Sequence, residues 1–135
     1  VFGVSSGEGL AHDVLAGTPL KKVVVIGDAR RGHVWSGVFE RSGAWPAMTR
    51  PWTLHPAGAA ADVIPGGAAV VTSELERLAE VLAKTPGTGL PVENRSPSAG
   101  TIGILAFRKV RAGQQSEPLS PIYLHPAVGS RETAR

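Results

Sequence analysis

Lys22-Val23-Val24-Val25-Ile26, Gly27-Asp28-Ala29-Arg30-Arg31-Gly32 and His33-Val34-Trp35-Ser36-Gly37-Val38-Phe39-Glu40 follow one another without a break, and their reading decides the fold. The first five residues are a continuous β-branched run, the pattern of an interior strand covered on both faces. The next six combine glycine, aspartate and charge and read as a turn. The last eight alternate, with Trp35 and Phe39 on one face and Val34 and Val38 on the other, as a returning strand does. The three pieces predict an antiparallel hairpin whose first strand lies inside a sheet.

Upstream, Val1-Phe2-Gly3-Val4 reads as a short buried strand. An apolar opening without an initiator methionine is expected of a fragment or a trimmed product, since natural termini are mostly polar and frayed. Ser5 and Glu8 form a Ser-x-x-Glu capping box, in which each side chain satisfies the other's backbone donor. The spacing predicts a helix over 7–16 with Leu10, Ala11, Val14 and Leu15 inward, stopped by Gly17.

Downstream, 41–67 is weakly ordered, with prolines beside Trp45, Trp52 and His55; it reads as a flexible insertion holding a short helix over 58–64. A strand is expected over 68–72, then a second capping box at Ser73 and Glu76. Leu75, Leu78, Ala79 and Leu82 form one helical stripe, and Pro86-Gly87 ends it. Ser96-Pro97 reads as a cap with proline at the first helical position. The following helix reaches Arg111, with Ala99, Ile102, Leu105, Ala106 and Val110 on its core face. Arg108, Lys109 and Arg111 suit its carboxyl end, and Gly113 stops it. A short apolar segment over 121–124 follows, and residues 129–135 read as a flexible tail. The pattern is mixed α/β.

The chain has 135 residues, 42% hydrophobic and 19% charged, enough for one domain with a modest core. It has no cysteine, which excludes disulfides, thiolate catalysis and sulfur-ligated zinc. Its apolar runs fall far short of the ~20 residues of a membrane helix. The net charge of +3 is spread along the chain, whereas nucleic-acid binders cluster basic residues on one face.

Gly3-Val4-Ser5-Ser6-Gly7 matches the G-x-S-x-G nucleophile elbow of α/β-hydrolases, and Asp28 or Asp62 followed by His125 completes a Ser, Asp, His order. The alternative function is therefore a serine hydrolase fragment using Ser5. An elbow sits in the middle of a parallel sheet, and only four residues precede Ser5, so Ser5 reads as a helix cap. His12, His33, His55 and His125 lack metal-ligand spacing, and no phosphate-cradling P-loop is present. No catalytic residue and no metal ligand is assigned. The turn of Asp28, Arg30 and Arg31 offers a carboxylate and two guanidiniums suited to a phosphate or a partner's carboxylate; it also reads as a hairpin loop with solvated arginines.

The stretches 4–11 and 25–35 resemble the TsaB (YeaZ) family, where V-S-S-L-E-A-L-A is followed by a strand and D-A-R-R-G-E-V-Y. Pro97-Ser98-Ala99, a helix, and Leu119-Ser120-Pro121-Ile122-Tyr123-Leu124-His125 are similar to the family's closing P-x-Y-L-R. The resemblance implies an actin-like ATPase (RNase H-like) lobe, with residues 1–128 as the carboxyl-terminal lobe of a TsaB-like protein. It also implies a degenerate nucleotide site and a non-catalytic scaffold subunit in the cytoplasm. Such subunits work with TsaD and the ATPase TsaE to form threonylcarbamoyladenosine at adenosine 37 of transfer RNA, ATP and metal serving the complex rather than this chain. The family's amino-terminal half has no counterpart here, so the TsaD-like contact is expected to need it. Gly7 and Gly9 replace helix-favouring residues, Thr72-Ser73-Glu74 replaces a Gly-Asp-Gly, and His125 stands for an arginine.

Overall fold

A computed structural model describes residues 1–84, 92–120, 122 and 124. The expected stop at Pro86-Gly87, Pro121, Tyr123 and His125 of the closing motif, and the tail 129–135 lie outside them. The elements run α1 (Ser6–Ala16), β1 (Lys22–Arg30), β2 (His33–Glu40), β3 (Ala47–Pro56), a 3-10 helix (Ala57–Val63), β4 (Ala69–Thr72), α2 (Leu75–Ala83), β5 (Val92–Asn94) and α3 (Ala99–Arg111). The five strands lie in the order β3-β2-β1-β4-β5. β2 is antiparallel to β1 and β3 antiparallel to β2, while β4 runs parallel to β1 and β5 parallel to β4.

The continuous apolar run does what its pattern requires. Val23 and Val25 point into a core with Leu10, Ala11, Val14 and Leu15 of α1, while Val24 and Ile26 point into a second core with Val34, Val38, Val70 and Leu78. All four are fully buried, and each contributes about 1.5–3 kcal/mol of apolar transfer free energy. The hairpin faces are also as expected: Phe39 joins the α1 core, against which Trp35 packs, and Val34 and Val38 join the other. α1 has no basic residue in its last turn. Instead, Arg41, just after β2, donates to the carbonyls of Leu15, Thr18 and Leu20, supplying a cation where the helix dipole favours one.

Several expectations need correction. Residues 1–4 form no strand of the sheet; Gly3 makes only an isolated antiparallel bridge to Glu117. The turn is tighter than 27–32, because β1 runs through Arg30 and only Arg31-Gly32 link the strands. The stretch expected to be a flexible insertion contains β3, a ten-residue edge strand on β2. Its prolines obscure it, and edge strands are where proline is tolerated; Pro51 falls where the ladder with β2 shifts register between Ser36 and Val38. The short helix is present as the 3-10 segment. β5, with three residues, is too short to carry a periodic signal.

The helix starts and faces also differ. Ser73 does not cap α2; Glu74 holds that position without a side-chain cap. On α2 Val81, not the exposed Ala79, accompanies Leu78 and Leu82 in the second core, and Leu75 is half-buried. α3 is capped by Ser98 through the Thr101 amide, two residues after the expected Ser96. It buries Leu105 and turns Ile102 and Lys109 inward, leaving Ile104, Phe107 and Val110 more than half or about half exposed. Ala99 and Val110 therefore leave the expected core face.

Two tryptophans fill the α1 side of the sheet through glycine. Trp35 and Trp52 meet edge-on with centroids 5.4 Å apart, and Phe39 meets Trp52 at 5.7 Å. A Cβ at Gly27 would overlap the Trp35 indole, and one at Gly7 or Gly37 would overlap Trp52. Gly7 thus makes room for a ring from β3.

Candidate functional site

Two places bring charged side chains together. The first is the hairpin tip. Arg31 and Gly32 both have positive φ (52° and 70°), the geometry of a type I′ loop. Arg30 is left-handed as well, at 64°, after a register shift between Asp28 and Arg30. Asn or Gly adopts this backbone more cheaply than arginine. Asp28 organises the tip: one carboxylate oxygen accepts from the Arg30 amide at 2.9 Å, and the other lies 3.7 Å from its guanidinium. The Asp28 amide donates to Glu74 Oε2 at 2.8 Å, and Glu74 Oε1 lies 3.6 Å from Arg77. Thr72 Oγ1 accepts from the Glu74 amide at 3.0 Å, placing Glu74 under the tip. The structure therefore unites Asp28 and Arg30 and leaves Arg31 exposed beside them.

The tip presents the exposed Arg31 beside a backbone already held by carboxylates. Its inward backbone donor is occupied by Glu74, and the Asp28 and Glu74 carboxylates would face any incoming anion with like charge, so an anion is met on the outer side, by Arg31. Glu76 adds a further carboxylate in the first turn of α2.

The second place is the start of α1, and there sequence reasoning missed the important residues. Ser5 is the N-cap, its Oγ accepting from the Glu8 amide at 3.1 Å. The reciprocal half of the capping box is not made. Glu8 Oε2 accepts from Lys109 Nζ of α3 at 2.7 Å, and Glu8 Oε1 has no hydrogen-bond partner. The pair is deep, with side chains 5% and 13% exposed, and Glu117 Oε1 approaches the same ammonium at 3.8 Å. Burial pushes the Glu8 carboxyl above its ordinary range; Lys109 opposes the shift and Glu117 adds to it. The available signal was Lys109 lying four and seven residues after Leu105 and Ile102, on the buried stripe rather than only at the helix end.

Beside this cluster lies an open groove of about 540 Å³, walled by Ser5, Gly7, Trp35, Trp52, Glu117 and Leu119 among others. No histidine is among the described residues that line it. The geometry does not support the elbow reading of Ser5: residues 1–4 before it form no strand of the sheet, Asp28 is held at the hairpin tip, and Asp62 sits in the 3-10 helix, which packs on the opposite face of the sheet from α1. His125 lies outside the described residues. Among those residues no cluster of His, Asp and Glu able to hold a metal occurs, and no helix is long and apolar enough to cross a membrane.

No protein-family profile and no curated protein matches the sequence. Solved structures do. A protein from Pseudomonas aeruginosa described as uncharacterized, with similarity to peptidase YeaZ, superposes with a TM-score of 0.68 at 17% identity, over 90% of this chain and 57% of that one. YeaZ from Pseudomonas aeruginosa superposes with a TM-score of 0.66 at 16% identity, over 84% of this chain and 53% of that one. The chain thus spans a little over half the length of these proteins. Across that span it has the fold of YeaZ, an α/β arrangement built on a mixed five-stranded sheet with flanking helices.

Proposed function

We propose that this chain is the carboxyl-terminal lobe of a TsaB (YeaZ)-type subunit. It serves as a non-catalytic scaffold for the machinery that forms threonylcarbamoyladenosine in transfer RNA, with TsaD-like and TsaE-like partners, in the cytoplasm. The observation that carries this reading is a coincidence of motif and place. The Asp28-Ala29-Arg30-Arg31-Gly32 stretch lies at the tip of the central hairpin of a lobe with the YeaZ fold. ATP and metal belong to the partners. Transfer RNA is reached through the complex, and the TsaD-like contact is assigned to the half that precedes this lobe.

Within that reading, Asp28, Arg30 and Arg31 form a partner contact. Two arginines held in left-handed backbone at an exposed tip are the kind of strained feature that collects at functional sites. Arg31 stands ready to pair with a partner's carboxylate, while Asp28 fixes the backbone beside it. Arg30→Glu combined with Arg31→Glu, in the whole polypeptide containing this chain, is expected to weaken assembly of the complex while leaving far-UV circular dichroism unchanged. Undiminished assembly would remove the tip from the interface.

A further inference from the structure

The Glu8 cluster lies apart from the proposed partner contact and has a property of its own. Three segments meet there: α1 through Glu8, α3 through Lys109, and the segment after α3 through Glu117. That last segment runs back across the start of α1. The Glu117 amide donates to the Gly3 carbonyl at 3.2 Å, and the Gly3 amide donates to Ser116 Oγ at 2.7 Å. Residues 117–120 then form one wall of the 540 Å³ groove, opposite Ser5, Gly7 and Trp52.

The charges around this wall do not balance when every group is ionised. Two carboxylates, Glu8 and Glu117, face one ammonium, Lys109. The remaining residues lining the smaller pocket between them, from Ser5 and Phe39 to Trp45, Met48 and Trp52, carry no charge. His12, one turn further along α1, is the nearest titratable side chain on that helix and lies 3.6 Å from Asp13. Buried Glu8 Oε1 has no donor, and a buried acceptor in that state is costly. One proton resolves both problems. A protonated Glu8 keeps one oxygen for Lys109 and offers its hydroxyl to Glu117, leaving one carboxylate for one ammonium.

We propose that Glu8 and Glu117 share a proton, and that this proton latches the segment 114–120 over the groove beside the start of α1. When it leaves to solvent, two carboxylates face each other across a single ammonium, and the half-exposed Glu117 is the one free to move away. The Gly3 bridge opens with it. The groove then loses its 117–120 wall, uncovering Trp52 and the Ser5 end of the helix. The latch closes as pH falls and opens as pH rises through the Glu8 transition, in keeping with the upward displacement of that carboxyl.

Hydrogen exchange at the Glu117 amide, corrected for its intrinsic pH dependence, reads the latch directly. Protection should stay level at the acidic end and then fall by up to about tenfold per pH unit, the slope for release of one proton. The carbon-13 shift of the Glu8 carboxyl should titrate over the same interval. Glu8→Gln supplies a donor that cannot ionise, so protection should become independent of pH. Glu117→Gln, on the exposed side and therefore tolerated by the fold, should flatten the profile as well. His12→Gln should leave it unchanged. Level protection of the wild-type amide across roughly pH 5 to 9, or a wild-type slope retained in Glu117→Gln, would overturn the latch.

Discussion

Ser5-Ser6-Gly7-Glu8 and Ser73-Glu74-Leu75-Glu76 place a serine and a glutamate at the same spacing ahead of a helix, yet the two regions are built differently. In the first, the serine caps the helix and the glutamate leaves it for Lys109. In the second, the serine does not cap, and Glu74 occupies the cap position while its carboxylate reaches Asp28 on the hairpin. In each region an acid at the start of a helix reaches a donor distant in sequence, although Glu74 also keeps Arg77 of its own helix. Backbone donors at a helix start can be satisfied by water, whereas a buried ammonium or an inward amide at a crowded tip cannot. A four-residue motif therefore fixes where a helix begins better than it fixes what its acid does.

Substitutions can break this contrast, and the largest effect is expected at Lys109. Lys109→Met leaves Glu8 buried without its cation and should destabilise the protein by about 3 kcal/mol at neutral pH. The folded-state pKa of Glu8, already raised, should rise further, so the loss should be greatest above that value and fade as pH falls towards the unfolded one. Urea unfolding at two pH values measures this. A pH-independent loss would mean that packing of the lysine stem, not charge, holds α3 to α1.

The serines should give smaller, graded effects. Ser5→Ala should cost about 1 kcal/mol, the usual value of an N-cap hydroxyl, and Ser73→Ala should stay within about 0.5 kcal/mol, as exposed changes away from special features do. Thermal unfolding of the two variants side by side tests the comparison. Equal losses would show that Ser73 does cap α2 in solution.

Legibility in the sequence followed the range of the forces involved. Val23 to Ile26 and the alternation from His33 to Glu40 announced β1 and β2 because burial on fixed faces imposes a period that can be counted. β3 was hidden by Pro51 and Pro56, whose effect depends on whether a strand is an edge, and that is known only once β2 has its other neighbour. The face of α3 was misjudged because Val110 looked like core and Lys109 like surface; the pairing with Glu8, 101 residues away, reverses both. At the candidate tip, Asp28, Arg30 and Arg31 could be picked out by residue type. The Glu74 carboxylate that closes the inner side of the tip could not, since no local pattern links it to Asp28.

The contact of two indoles with three glycines bears on how this chain can diverge. Gly7, Gly27 and Gly37 belong to α1, β1 and β2, and every single-base change at a glycine codon that alters the residue adds at least a methyl-sized group where Trp35 or Trp52 already lies. Drift at those three positions is thus tied to drift at the two rings. A leucine at position 7 would therefore call for a smaller residue at position 52, so the two positions can change only as a pair.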